Sequence, residues 1–251
     1  MVNRQVKSKK RVADHGEVFT AEREINAMLD LVRQETERID SRFLEPACGD
    51  GNFLAEILRR KLDVVKKKYR RSPIDYEKNS ILAASSIYGV DILIDNVKIC
   101  RERMFDIWDS EYKKVCKKEV NDDCRKTARF IFERNIICGN ALSLKQVDDQ
   151  GVDLEEPIIF SEWSFVTGFN LQRSDYRFDK LLEGTEKARD IFELEESVEN
   201  ENEVSEQIEL FSNSLIEDKG ITVEQKNDVN EEGELIQQYI DHYRRVWAYG
   251  N

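Results

Sequence analysis

Proline is scarce in this chain: three residues, at 46, 73 and 157, none adjacent to another, in a sequence of 251. Histidine numbers two, and the five cysteines (48, 100, 116, 124, 138) form no CxxC pair and have no histidine partner. Those spacings exclude the usual zinc motifs, so no metal site is expected, and an odd thiol count fits a reducing cytoplasm better than a disulfide framework. No apolar run approaches the roughly 18 residues that a bilayer span needs. The basic start, Met1 to Arg11, lacks the apolar stretch of a secretory signal, so neither export nor a membrane partner is expected. No internal repeat is present.

A basic excess is also missing. The formal net charge is −12, which looks wrong for a nucleic-acid protein until it is divided by segment. Glu183 to Glu234 holds 18 acidic against 4 basic side chains, a net of −14. Residues 1–182 come out at about +1, so the acidity belongs to one region and says little about partners of the rest. Hydrophobic residues make up 40% and charged residues 36%, enough for a core with a large share of chain in water. The length suits one α/β domain with an appendage, or two small domains.

Apolar spacing predicts helices over 21–32, 52–69, 80–86, 95–115 and 127–132. Short strands are expected over 42–47, 87–92 and 135–139, with 158–160 a fourth strand or the arm of a hairpin. Strands alternating with helices of this length imply βαβ units and a parallel sheet. From Glu183 onward apolar residues thin out, so 185–233 reads as a mobile acidic linker or a loosely helical arm. Leu235 to Trp247 reads as a final amphipathic helix that docks on the domain. The division is a domain over 1–182, an acidic linker over 183–234 and a C-terminal helix within 235–251.

The most informative string is Phe43-Leu44-Glu45-Pro46-Ala47-Cys48-Gly49-Asp50-Gly51-Asn52-Phe53-Leu54, a strand that enters a glycine turn and opens onto a helix. Glycines there let a ligand approach the main chain closely. In dinucleotide-binding sheets such a turn faces a pyrophosphate. Here Glu45 and Asp50 would repel phosphate and suit a cation, such as the ammonium and sulfonium of S-adenosylmethionine (SAM). An ordinary tight turn between strand and helix is the plainer alternative.

This string resembles motif I of the amino-methyltransferases, in particular the adenine-specific DNA methyltransferase subunits of restriction–modification systems. His15-Gly16-Glu17-Val18-Phe19-Thr20 resembles their motif X, with Ala21 where the family has proline. The matching stretches cover about residues 11 to 142. The resemblance implies an α/β, Rossmann-like SAM-dependent methyltransferase sheet with flanking helices, cut short and followed by an acidic C-terminal extension. It implies SAM as cofactor, adenine in DNA as methyl acceptor, and a second methyltransferase, specificity or restriction subunit as partner. Phe19 and Thr20 would then fold over the methionine end of SAM, with Glu45, Ala47, Gly49, Gly51, Asn52 and Phe53 lining the same pocket.

Asp91, at the end of Ile87-Tyr88-Gly89-Val90-Asp91-Ile92, can accept from both ribose hydroxyls, and Ile92 fits an apolar residue packed on adenine. The plainer reading makes Asp91 a helix cap, a role for which Asp95 also offers itself. In Gly139-Asn140-Ala141-Leu142 the family has Gly-Asp-Ala-Leu. The Asn140 amide oxygen can accept from the SAM adenine, or simply cap the segment that follows.

The catalytic loop of such enzymes, Asn/Asp/Ser-Pro-Pro-aromatic, is absent, since no two prolines adjoin. Tyr176-Arg177-Phe178-Asp179 opens like the strand before that loop and then enters the acidic tract. Ser161-Glu162-Trp163-Ser164-Phe165 is a substitute in which Ser161 is the polar acceptor and Trp163 or Phe165 stacks on a flipped base. Aromatics so spaced serve equally well as core. Three functions stay open: a DNA adenine methyltransferase or its SAM-binding half, a catalytically silent SAM-binding or interaction subunit, and methylation of RNA, protein or a small molecule, since fold and cofactor do not fix the acceptor.

Overall fold

The structure, a computed structural model, describes residue 11, residues 20–181 and residues 235–249. In chain order the elements are α1 (Glu22–Leu31), α2 (Arg33–Thr36), β1 (Phe43–Glu45), α3 (Asn52–Tyr69), α4 (Pro73–Ser85) and β2 (Ile87–Asp91). Then follow α5 (Ile94–Cys116), α6 (Asp122–Asn135), β3 (Ile136–Asn140), β4 (Lys145–Val147), β5 (Asp153–Pro157), β6 (Ile159–Phe165), β7 (Asn170–Arg177) and β8 (Leu235–His242). The fold is α/β, and no described helix is long and apolar enough to cross a membrane.

Five strands form one sheet in the order β1-β2-β3-β4-β5. The first three are parallel, with Glu45 level with Gly89 and Asp91 level with Cys138. The last two are antiparallel, so the sheet is mixed rather than parallel throughout. Parallel pairing of β1, β2 and β3 brings Glu45, Asp91 and Asn140 to one edge, where the chain leaves each strand. β2 is buried along its whole length. Ile87 joins the core formed with the helices, while Tyr88 and Val90 face the opposite side and pack with Ile158, Phe160 and Phe178. That double burial is why β2 reads as a continuous apolar run instead of an alternation.

α3 shows how the helix side is built. Leu54, Ile57, Leu58, Leu62 and Val65 recur at helical spacing and are all buried. Lys61 lies in the same stripe and is fully buried too. Its ammonium donates to the carbonyls of Arg38 (3.2 Å), Ile39 (3.1 Å) and Ser41, and to the Ser86 hydroxyl at 2.8 Å. Burial lowers the Lys61 ammonium from its ordinary value to about 7. The lysine thus ties the chain entering β1 to the chain entering β2.

The second sheet is antiparallel, in the order β6-β7-β8. Residues 158–160 prove to lead into a hairpin arm: β6 pairs with β7 from Ile159↔Arg177 to Phe165↔Leu171. Tyr176-Arg177-Phe178-Asp179 does not open a new strand: Arg177 ends β7 and residues 178–181 form a helical turn.

A larger correction concerns the C-terminus. Leu235–His242 is a strand, not an amphipathic helix, and Val246–Tyr249 is a short 3-10 turn. Docking by this segment is nevertheless real. The buried carboxylate of Glu77 on α4 accepts from the hydroxyls of Tyr112 and Tyr243 and from Arg244 Nε, and Thr127 donates to the Tyr243 carbonyl at 2.8 Å. The acidic stretch 183–234 lies outside the described residues; in sequence it joins β7 to β8, in which Tyr176 stands opposite Leu235. In topology it is an insertion between two neighbouring strands.

Candidate functional site

The glycine turn begins where β1 ends. Gly49 and Gly51 adopt φ of 54° and 85°, a left-handed backbone that favours glycine. At Gly51 space forbids a side chain as well: a Cβ there would stand 2.5 Å from Cys100 Sγ. The turn is braced at nearly every residue. Gly49 N donates to Asp91 Oδ2 at 2.9 Å, and Gly51 N to the Cys48 carbonyl at 2.9 Å. Arg103 on α5 reaches Asp50 with both terminal nitrogens, at 3.2 and 3.0 Å, and Asn52 Oδ1 at 2.6 Å. Beneath the turn the neighbouring Cys100 thiol, with burial, pushes the Cys48 thiol up.

Of the two acids expected to face a cation, only Glu45 is available. Asp50 is neutralised by Arg103, a partner that the sequence reading missed although Cys100 and Arg103 share one face of a plain amphipathic helix. Glu45 is part-buried. Burial raises its carboxyl above the ordinary carboxylate range, and the Ala47 backbone N–H pulls in the opposite direction. Among the described residues no cation pairs with Glu45. A desolvated carboxylate beside an open glycine turn favours a positively charged ligand group.

Asp91 stands where the ribose acceptor was expected but already has partners. Oδ2 accepts from Gly49 N, and Oδ1 from Leu93 N at 2.9 Å and from Asn96 Nδ2 at 3.2 Å. A carboxylate offers about four acceptor sites, so Asp91 retains room for about one more bond as it stands. It does not cap α5, which begins at Ile94 after Leu93 with no side-chain cap bond, and Asp95 pairs with Arg11 at 2.6 Å. Ile92 is part-exposed and is approached by the β4–β5 loop at Gly151.

Asn140 follows the capping alternative. Its Oδ1 accepts from Leu142 N at 3.0 Å and from Ser143 N at 3.4 Å, and its Nδ2 donates to Asp153 at 2.9 Å. Thr20 is exposed and borders a cleft of about 380 Å³ with Asn52, Ala55, Glu56 and Arg103, at the start of α3. Phe19 and the rest of the motif X match lie outside the described residues. Ala47 is exposed and Phe53 packs on the helix-side core. The strand ends thus gather Glu45, Gly49, Gly51 and Asp91, and Thr20 meets Asn52 in the adjoining cleft.

Ser161, Trp163 and Phe165 are not on a loop. They alternate along β6 toward the core, with Ser161 and Trp163 buried. The Ser161 hydroxyl donates to Asp175 at 2.6 Å, and the Trp163 indole N–H to Asn135 at 2.8 Å. Trp163 meets Phe130 edge to face, and Phe165 meets Tyr243 in the same way. Glu162, on the other side of the strand, pairs with Arg42. The core alternative describes this string: its polar groups are taken and its rings are packed.

No family model, curated protein or solved structure matches the chain.

Proposed function

We propose that this chain is a SAM-binding subunit of the Rossmann-like, adenine-specific DNA methyltransferase type. The observation that carries the reading is Glu45, a half-buried carboxylate with no cationic partner among the described residues, at the mouth of a turn built from two left-handed glycines. Phosphate ligands fit such a turn poorly, because the carboxylate would repel them. The ammonium and sulfonium of SAM supply the missing charge, and the glycines let the cofactor lie against the backbone. Asp91 contributes through its remaining acceptor site, and Ile92 offers an apolar surface to the adenine. When bound, SAM supplies an activated methyl group to a nucleophile such as an adenine amine.

A second reading is favoured by one specific observation. Methyl transfer requires amine, methyl and sulfur in line, and positioning of that kind is worth about 7–11 kcal/mol. Ser161 and Trp163 have interior partners, and no Pro-Pro exists in the sequence to replace them. For the isolated chain we therefore propose cofactor binding without turnover, the acceptor loop coming from a partner subunit. Near-neutral charge over residues 1–182 adds to this, because phosphate attraction is weak without a basic surface. Transfer of labelled methyl from SAM to mixed-sequence DNA tests the proposal. The expected result is no turnover by the chain alone. Turnover that vanishes in Ser161→Ala would restore the β6 string as a catalytic element.

A further inference from the structure

The glycine turn has little stiffness of its own, since two of its residues are left-handed glycines whose unfolded freedom is large. Its conformation must be imposed from outside, and α5 is the element that imposes it. Asn96, Cys100 and Arg103 follow one another at i, i+4 and i+7, so they share one face of that helix. Each meets a different part of the turn. Asn96 donates to Asp91, which accepts from Gly49. Cys100 fills the space under Gly51. Arg103 forks across both carboxylate oxygens of Asp50 and also holds Asn52, the first residue of α3.

We propose that Arg103 is the positioning residue of the cofactor turn, acting through Asp50 and Asn52. This rests on the reading of the turn as a SAM site, and it goes further by assigning the turn's geometry to a residue of α5. The guanidinium suits the task because its planar fork matches a carboxylate with two parallel bonds, which fixes orientation as well as distance. Asp50 is mostly covered and Arg103 about a third exposed, with side-chain exposures of 15% and 30%, so the pair sits at the rim of the cleft and not in the core. Pairing also removes the Asp50 charge from the ligand's surroundings, leaving Glu45 and the hydrogen-bonded Asp91 as the carboxylates there.

Two readouts on the whole chain test the proposal, one without ligand and one with SAM. Amide hydrogen exchange of the free protein should show the Gly49, Asp50 and Gly51 amides opening about tenfold faster in Arg103→Ala and in Asp50→Ala, with the α3 interior and the unfolding midpoint little changed. SAM titration should show about tenfold weaker binding in each single variant and no loss in the double variant beyond that of Arg103→Ala, because the Arg103–Asp50 pair is then already gone. Arg103→Lys should recover part of the affinity, since an ammonium cannot make the fork. Unchanged exchange at the turn in Arg103→Ala overturns the proposal, as do losses that multiply in the double variant. Failure of the parent to bind SAM sinks the proposed function instead, and the exchange measurement then decides the role of Arg103 by itself.

Discussion

Two polar clusters of this protein look alike in sequence and differ in how completely they are used. At the glycine turn, Glu45 is drawn partly out of water without a cation, and Asp91 keeps an acceptor site. Around β6 and the C-terminal return, Ser161, Trp163, Glu162 and Glu77 each have partners inside the protein. Both clusters contain the residue types that chemistry needs. Only the first leaves a charge for something else to answer. A residue's type nominates it for function, and its unused bonding capacity is what sustains the nomination.

The sharpest way to break this comparison is to attack the saturated cluster. Glu77→Ala would leave Arg244 and two tyrosine hydroxyls without their buried acceptor, a change that typically costs about 3–5 kcal/mol. Urea unfolding should register it as a large drop in midpoint. A loss under 1 kcal/mol would mean that the C-terminal return is not anchored by Glu77.

Trp163→Ala comes next. Removing a buried indole usually costs about 3–5 kcal/mol, and here it also leaves the buried Asn135 amide oxygen without its donor. Thermal unfolding should fall clearly while SAM affinity, measured well below the midpoint, stays within twofold. A stable variant with lost affinity would place Trp163 in the site and not in the core.

The smallest effect is expected from the acidic stretch. Because β7 and β8 pair directly, with Tyr176 opposite Leu235, replacing 183–234 by a short glycine-containing linker should shift the unfolding midpoint by a few degrees at most. Loop-closure entropy changes slowly with length, by about 0.6 kcal/mol per doubling. Cutting the chain at 182 is a different experiment. It removes β8 together with Tyr243 and Arg244, and should destabilise strongly.

Those contrasts also mark how far the sequence can be read. The helix over 52–69 matches the structure because buried apolar residues set its period, and the strands near 43, 87 and 136 match as short apolar runs. α4 runs from Pro73, but only its end is legible: Glu77 and Ser80 are buried polar residues, and Ile74 is exposed. β5 carries mostly exposed acidic residues and gives no apolar signal. β8 is misread because Leu235, Ile236, Tyr239 and Ile240 fall at helical spacing. As a strand with one described neighbour it is mostly exposed and shows no clean alternation. At the site, Glu45, Gly49, Gly51 and Asp91 are legible from motif order. The claim of Arg103 on Asp50 is not, since it joins residues far apart in sequence through a fold that the motif alone does not specify.

The measurement that bears most directly on the account is SAM binding by the whole chain and by Glu45→Gln, followed by calorimetry across pH. The parent should bind with a free energy of about −8 kcal/mol or somewhat weaker. Glu45→Gln should lose about 1.5–3 kcal/mol, the usual worth of a hydrogen bond to a charged group. The pH dependence has a definite sign. Burial raises the Glu45 carboxyl, and a cation is held only by its ionised form. Affinity should therefore be complete above that raised value and decline as pH falls through it, with proton release on binding inside that window. Glu45→Gln should bind weakly at every pH. No heat and no shift in unfolding at millimolar SAM would contradict the account, and so would equal binding by parent and variant across the whole range.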